Sequence, residues 1–128
     1  MEKAKTKILL VEDEQGVREA VSKILTKYGY TVVTAGDGEE GLKCFDDHGG
    51  FDIVFTDLSL PGLSGWDVAA AVRQKSPVTP VVLLSGWDID DRDERIGQSG
   101  ISGILAKPVR MKEMIKVVEE LIKAAAEG

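Results

Sequence analysis

The chain of 128 residues holds one cysteine and one histidine, and no apolar run approaches the ~20 residues of a membrane-spanning helix. A lone thiol, Cys44, excludes an internal disulfide and a thiolate zinc cluster, fits a reducing compartment, and reads as packing. Residues 1–7 are charged and the apolar run behind them is only a strand long, so no secretory leader is expected and the expected location is the cytoplasm. The 16 basic residues form no block and are outnumbered by 22 acidic ones, for a formal net charge of -6. Binding to nucleic acid or to a membrane is therefore not expected. What remains is 43% hydrophobic and 30% charged, the balance of a soluble domain able to bury its own core without staples. A single domain over 1–128, with its core at about 7–122, is the expectation.

Hydrophobic periodicity divides the chain into strands and helices in alternation. Residues 8–11 are uninterruptedly apolar. After Glu12, Asp13 and Glu14, the residues Val17, Ala20, Val21, Ile24, Leu25 and Tyr28 recur at helical spacing. Gly29 stands where a left-handed helix cap belongs, and 30–35 is rich in β-branched residues, a second strand. Asp37 and Glu40 form a capping-box-like start to a short helix that Gly49 and Gly50 close. The stretch "FDIVFTDLSLPGLSG" is a third strand ending on Asp57, followed by a helix over 65–75 capped by Ser64. Residues 80–84 and, more weakly, 101–106 supply two more strands too apolar to face water. The last helix, 111–125, has the clearest apolar face, with Met111 and Met114 read as core. A short helix is expected within "DIDDRDERIGQSG". Strands apolar on both faces, alternating with helices, indicate an α/β fold: a doubly wound, five-stranded parallel sheet covered on both sides.

In such sheets ligands sit beyond the carboxyl ends of the strands. Glu12 and Asp13 follow the first strand, Asp57 ends the third, Ser85 follows the fourth and Lys107 the fifth. Each alone has an ordinary reading as a cap or a solvated side chain. Together they put three carboxylates, one hydroxyl and one ammonium on one rim. Two carboxylates at ~4 Å repel by about 4 kcal/mol in a surface-like dielectric, so the group needs counter-charge. Hard oxygen donors with no His or Cys suit Mg²⁺, with Mn²⁺ as the alternative. With Lys107 and Ser85 beside them, the set is matched to a phosphoryl group arriving on a carboxylate.

Four motifs in chain order, "ILLVEDE", "FTDLSLPGLSG", "VVLLSG" and "AKPV", resemble the receiver domain of two-component response regulators, a resemblance that covers about 7–121. It implies the flavodoxin-like (βα)5 fold with strand order 2-1-3-4-5. It also implies that Asp57 accepts a phosphoryl group from phosphohistidine on a sensor histidine kinase or histidine phosphotransfer domain. Glu12, Asp13, Asp57 and the backbone carbonyl of Ser59 would hold Mg²⁺, Ser85 and Lys107 would bind the phosphoryl oxygens, and Gly86 would leave room for the donor. The Lys107–Pro108 bond would be cis, and output would pass through the last two βα units of a monomer or weak dimer. Chemistry beyond self-phosphorylation and autodephosphorylation is not expected. No output domain is visible, so the expectation is a stand-alone regulator or a receiver cut from a longer protein.

Two positions depart from that pattern. Ile104 stands where the family usually carries the aromatic residue of its rotamer switch, so signalling is expected to run through the backbone of 85–100 instead. Glu12 replaces the commoner Asp with a longer arm. Trp66 and Trp87 read as partly exposed residues near the rim, His48 as a solvated helix end, and 88–95 as a solvated charged face. A haloacid-dehalogenase-type phosphatase needs a second Asp where Ser59 stands, and no glycine-rich phosphate loop follows the first strand. The rival reading is a pseudo-receiver, an interaction module that kept the fold without the phosphorylation.

Overall fold

The computed structural model describes residues 6–86, 94 and 100–127. Five strands, β1 (Lys7–Val11), β2 (Thr31–Ala35), β3 (Ile53–Asp57), β4 (Val81–Ser85) and β5 (Gly103–Ala106), alternate with helices α1 (Gln15–Lys27), α2 (Gly38–His48), α3 (Gly65–Lys75) and α4 (Met111–Glu127). The strands form one sheet in the order β2-β1-β3-β4-β5, and every pairing is parallel. The expected architecture and strand order are those observed. The helix expected within 88–100 and the charged face over 88–95 lie, apart from Glu94 and Gly100, outside the described residues, as does Trp87.

Because side chains alternate along a strand, each apolar strand serves two cores. Ile8 and Leu10 join Ile53, Phe55, Val82 and Leu84 on the face covered by α1 and α4, where Val21, Leu25, Met114 and Val118 meet them. Leu9 and Val11 point the other way, with Val54 and Val81, onto Phe45, Val68, Ala69 and Val72 of α2 and α3. Each such buried side chain contributes about 1.5–3 kcal/mol relative to exposure, so the central strands have no freedom to slip. The edge strands are less enclosed than their composition suggests. β2 is half-buried along most of its length, and in β5 only Leu105 is buried. An edge strand has one neighbour instead of two, so part of its apolar surface meets solvent.

The helix ends follow local chemistry. Asp37 caps α2 by accepting from the Glu40 N–H at 2.8 Å, but Glu40 does not complete the expected box; its carboxylate accepts from the Gly36 N–H at 3.3 Å instead. Gly49 ends α2 in the left-handed region, at φ 55°, where a side chain would be strained. Ser64 and Asp67 cap α3 reciprocally. His48 is exposed at its helix end. Cys44 packs against the second core, and burial pushes its thiol above the ordinary range, which suits an inert packing residue. Among the described residues no helix is long and apolar enough to cross a membrane.

Candidate functional site

The parallel sheet brings the carboxyl ends of β1, β3, β4 and β5 to one rim. Past the end of β1, the Glu12 N–H continues the ladder by donating to the Ala35 carbonyl at 3.0 Å. That contact turns the Glu12 side chain inward, and the residue is only 1% exposed. Asp57, the last residue of β3, pairs in register with Leu84. Ser85 ends β4 itself, opposite Ala106. It is buried, and its carbonyl accepts from the Lys107 N–H at 2.7 Å. That backbone bond aims the lysine back across the sheet end.

Lys107 then joins groups far apart in the chain. Its Nζ donates to Glu12 Oε1 at 2.6 Å and to Asp57 Oδ2 at 2.7 Å. The other oxygens of these carboxylates are held by backbone amides: Glu12 Oε2 accepts from the Glu14 N–H at 3.2 Å, and Asp57 Oδ1 from the Ser59 N–H at 3.3 Å. Asp13 is exposed, yet Glu12, Asp13 and Asp57 each place a carboxylate oxygen within 4.8 Å of the others. Three carboxylates against one ammonium leave an excess of negative charge. Their span is close to the ~4.2 Å between oxygens on opposite sides of Mg²⁺, so the donor set and its spacing fit a small hard divalent cation.

Two glycines and an arginine shape this rim without having been singled out by sequence. A Cβ built on Gly65 would lie 2.5 Å from the Asp57 carbonyl oxygen and 2.8 Å from Leu58 Cα. Only glycine lets α3 begin directly on the end of β3, where the Gly65 N–H donates to the Leu58 carbonyl at 2.8 Å. Gly38 accommodates Leu63 of the same loop, with a built Cβ 2.8 Å from Leu63 Cβ. Arg18 reaches from α1 to the Glu12 carbonyl at 2.8 Å. A helix-start glycine and a helical arginine are both common, and no spacing marks them as site residues; only the packing does.

The remaining residues of interest lie where the strand ends put them. Gly86 is exposed, and a Cβ there would meet nothing within 4 Å. The Lys107–Pro108 bond is cis. Ile104 is half-buried in β5, opposite Leu83. Ser59 is exposed beside Asp57, and Trp66 is half-buried in the first turn of α3.

Burial pushes the Glu12 carboxyl above its ordinary 4.5, against the lowering effect of Lys107 and the Glu14 amide. For Lys107 burial acts downward, but the hydrogen bonds and charges of Asp57 and Glu12 outweigh it and hold the ammonium above 10.5. Both shifts contribute to the pH dependence of folding. Between 4.5 and its raised native value, Glu12 binds its proton more tightly folded than unfolded, so stability falls as pH rises through that window and levels beyond it. The contribution of Lys107 is complete below 10.5 and is lost as pH rises through its higher native value. Urea unfolding of the metal-free chain and of Glu12→Gln should show the wild type losing stability relative to the variant as pH rises from 4.5 through the acid window. A relative gain with rising pH would contradict the assignment.

A family model described as the response regulator receiver domain matches residues 8–119. The uncharacterized transcriptional regulatory protein YcbL of Bacillus subtilis is 38% identical over 120 residues, covering 93% of this chain and 52% of that protein. The sensory transduction protein RegX3 of Mycolicibacterium smegmatis is 33% identical over 124 residues, covering 96% of this chain and 53% of its own length. The chain thus spans about half the length of the curated relatives it matches. Among solved structures, the chemotaxis response regulator CheY4 of Vibrio cholerae aligns with a TM-score of 0.83 at 30% identity, covering 91% of this chain and 98% of that one. The response regulator protein TrrA of Thermotoga maritima, in complex with Mg(2+)-BeF, aligns at 0.82 and 32%, with the same coverage of 91% and 98%.

Proposed function

This chain belongs to the response regulator receiver domain family, and on that footing we propose that Asp57 accepts a phosphoryl group from a phosphohistidine and passes the change in charge to an output partner. The observation that carries the reading is the position of the Asp57 carboxylate. It is buried at a strand end and lies within 4.8 Å of two further carboxylates, and the Lys107 ammonium lies 2.7 Å from it. The likeness to TrrA, whose structure is a complex with Mg(2+)-BeF, supports the same reading.

In the proposed reaction an Asp57 carboxylate oxygen attacks phosphorus in line with the donor imidazole. An O–P bond forms, the P–N bond breaks, and the imidazole keeps the electron pair and takes a proton. Glu12, Asp13 and Asp57 would hold a divalent cation, with the Ser59 carbonyl as a further ligand. When bound, that cation neutralises charge on the transferring phosphoryl oxygens and on the carboxylates facing them. Lys107 exchanges a carboxylate partner for a phosphoryl oxygen, Ser85 offers its hydroxyl, and the open space at Gly86 admits the donor. The chain hydrolyses its own acyl phosphate slowly and turns over no other substrate. Phosphorylation replaces the single negative charge of the Asp57 carboxylate by about one and a half to two on the phosphoryl group near neutral pH, and the gain biases the loops around Asp57 and the surface of the last two βα units. The donor is a sensor histidine kinase or a histidine phosphotransfer domain. The chain acts as one domain over 1–128, and the output partner or domain docks on those last two units.

The reading is tested by intact mass after incubation with acetyl phosphate, with and without Mg²⁺, for the wild type and Asp57→Asn. The expected result is a gain of one phosphoryl group that requires both Mg²⁺ and Asp57. A folded wild-type chain that gains none would point instead to an interaction module without phosphoacceptor chemistry, and steady turnover of a phosphoester to a phosphatase.

A further inference from the structure

We infer that Arg18 is a positioning residue of the acidic site, fixing the Glu12–Glu14 turn and through it the carboxylates of Glu12 and Asp13. The inference rests on the phosphoacceptor reading above and adds to it a residue outside the carboxylate, hydroxyl and lysine set. Arg18 sits in the first turn of α1, half-buried, and grips both ends of the turn. Its Nη1 donates to the Glu12 carbonyl at 2.8 Å, and its backbone N–H donates to the Glu14 carbonyl at 2.9 Å. Asp13 lies between those two carbonyls. It is exposed, so the turn's backbone, not the packing of its own side chain, decides where its carboxylate stands.

The guanidinium is itself flanked. A Cβ built on Gly36 would lie 3.4 Å from Arg18 Nη1 and 3.7 Å from Glu40 Oε2, so a cation and a carboxylate both approach the open Cα of one glycine just past the end of β2. Glu12 is thus tied at three points: N–H to Ala35, carbonyl to Arg18, and side chain to the Glu14 N–H and Lys107. Among the described contacts, Arg18 supplies the only tie to the backbone of the turn from a side chain outside it. Groups that orient ligands from behind in this way commonly govern metal affinity by about 10- to 100-fold.

Charge and position predict opposite signs. A guanidinium near the cluster repels a divalent cation, so by Coulomb's law alone its removal tightens Mg²⁺ binding. As a positioning residue its removal weakens it. Arg18→Met keeps most of the aliphatic stem, while Arg18→Lys keeps the charge and one donor without the planar fork.

Two measurements on the chain decide. In metal-free solution, amide hydrogen exchange at Glu12 and Glu14 should quicken about tenfold in Arg18→Met, as expected for loss of a charge-assisted hydrogen bond, and recover in part in Arg18→Lys. Calorimetric titration with MgCl₂ should give a dissociation constant about 10- to 100-fold weaker in Arg18→Met, again partly recovered by lysine. Unchanged exchange, or Mg²⁺ binding as tight as or tighter than wild type, overturns the role assigned to Arg18. A wild type that binds no Mg²⁺ removes the cation reading and with it the positioning of a cation site, while exchange alone then says whether Arg18 still anchors the turn.

Discussion

Replacing Lys107 by Met destabilises the metal-free chain by about 3 kcal/mol, a fall of about 10 °C in Tm, and millimolar Mg²⁺ recovers part of it. The Nζ lies 2.6 Å from Glu12 Oε1 and 2.7 Å from Asp57 Oδ2. Taking it away leaves two buried carboxylates facing each other, with side chains only 1% and 9% exposed. Met fills similar volume, so the effect is one of charge and not of a cavity. The lower end of the range for breaking a buried ion pair applies, because the lysine side chain keeps 23% exposure and Glu12 can take up a proton instead. Two controls separate this from a packing defect. Lys112→Met, at an exposed site on α4, leaves stability within about 0.5 kcal/mol of wild type. The deficit of Lys107→Met also shrinks as pH falls and Glu12, whose burial already raises its carboxyl, takes up a proton. A deficit independent of both pH and Mg²⁺ would mean the lysine acts through its methylenes.

Beryllofluoride with Mg²⁺ should stabilise the folded chain by about 2.7 kcal/mol at a hundredfold excess over its dissociation constant, and Asp57→Asn should abolish the effect. The stabilisation comes from binding to the native state alone, since the unfolded chain cannot assemble residues 12, 13, 57 and 107. Amide replacement at residue 57 keeps the shape and the acceptor oxygen but removes the charge that both the cation and the fluoride adduct require. The variant remains folded, because Lys107 keeps its bond to Glu12. Chemical denaturation of both proteins, with each additive alone and with the two together, gives the result directly. Equal stabilisation of wild type and Asp57→Asn would place the adduct elsewhere.

Much of this was legible in the order of residues, for a physical reason: strands buried on both faces must be apolar throughout, and helices packed on them must show a stripe. Val81–Ser85 and Met111–Glu127 could hardly be read otherwise. The rim followed from topology, since parallel strands bring their carboxyl ends together. Ser64 capped α3 as expected because a cap is a local device. What sequence did not disclose depends on distances across the fold. Three carboxylates call for counter-charge, but not for the arrangement found, in which Lys107 bridges Glu12 and Asp57 together. Glu40 turned to the Gly36 amide rather than closing its box, a choice between neighbouring donors that no pattern encodes. Arg18 and Gly65 act on the site through backbone atoms of other residues, and such contacts leave no mark in spacing.

The most direct measurement is a crystal structure of the chain with Mg²⁺ and beryllofluoride. The account requires a beryllium adduct on an Asp57 oxygen, an ion bonded to carboxylate oxygens of Asp13 and Asp57, and the Lys107 ammonium on a fluorine. An adduct elsewhere, or none, with Lys107 still closed between Glu12 and Asp57 at saturating ligand, would contradict it.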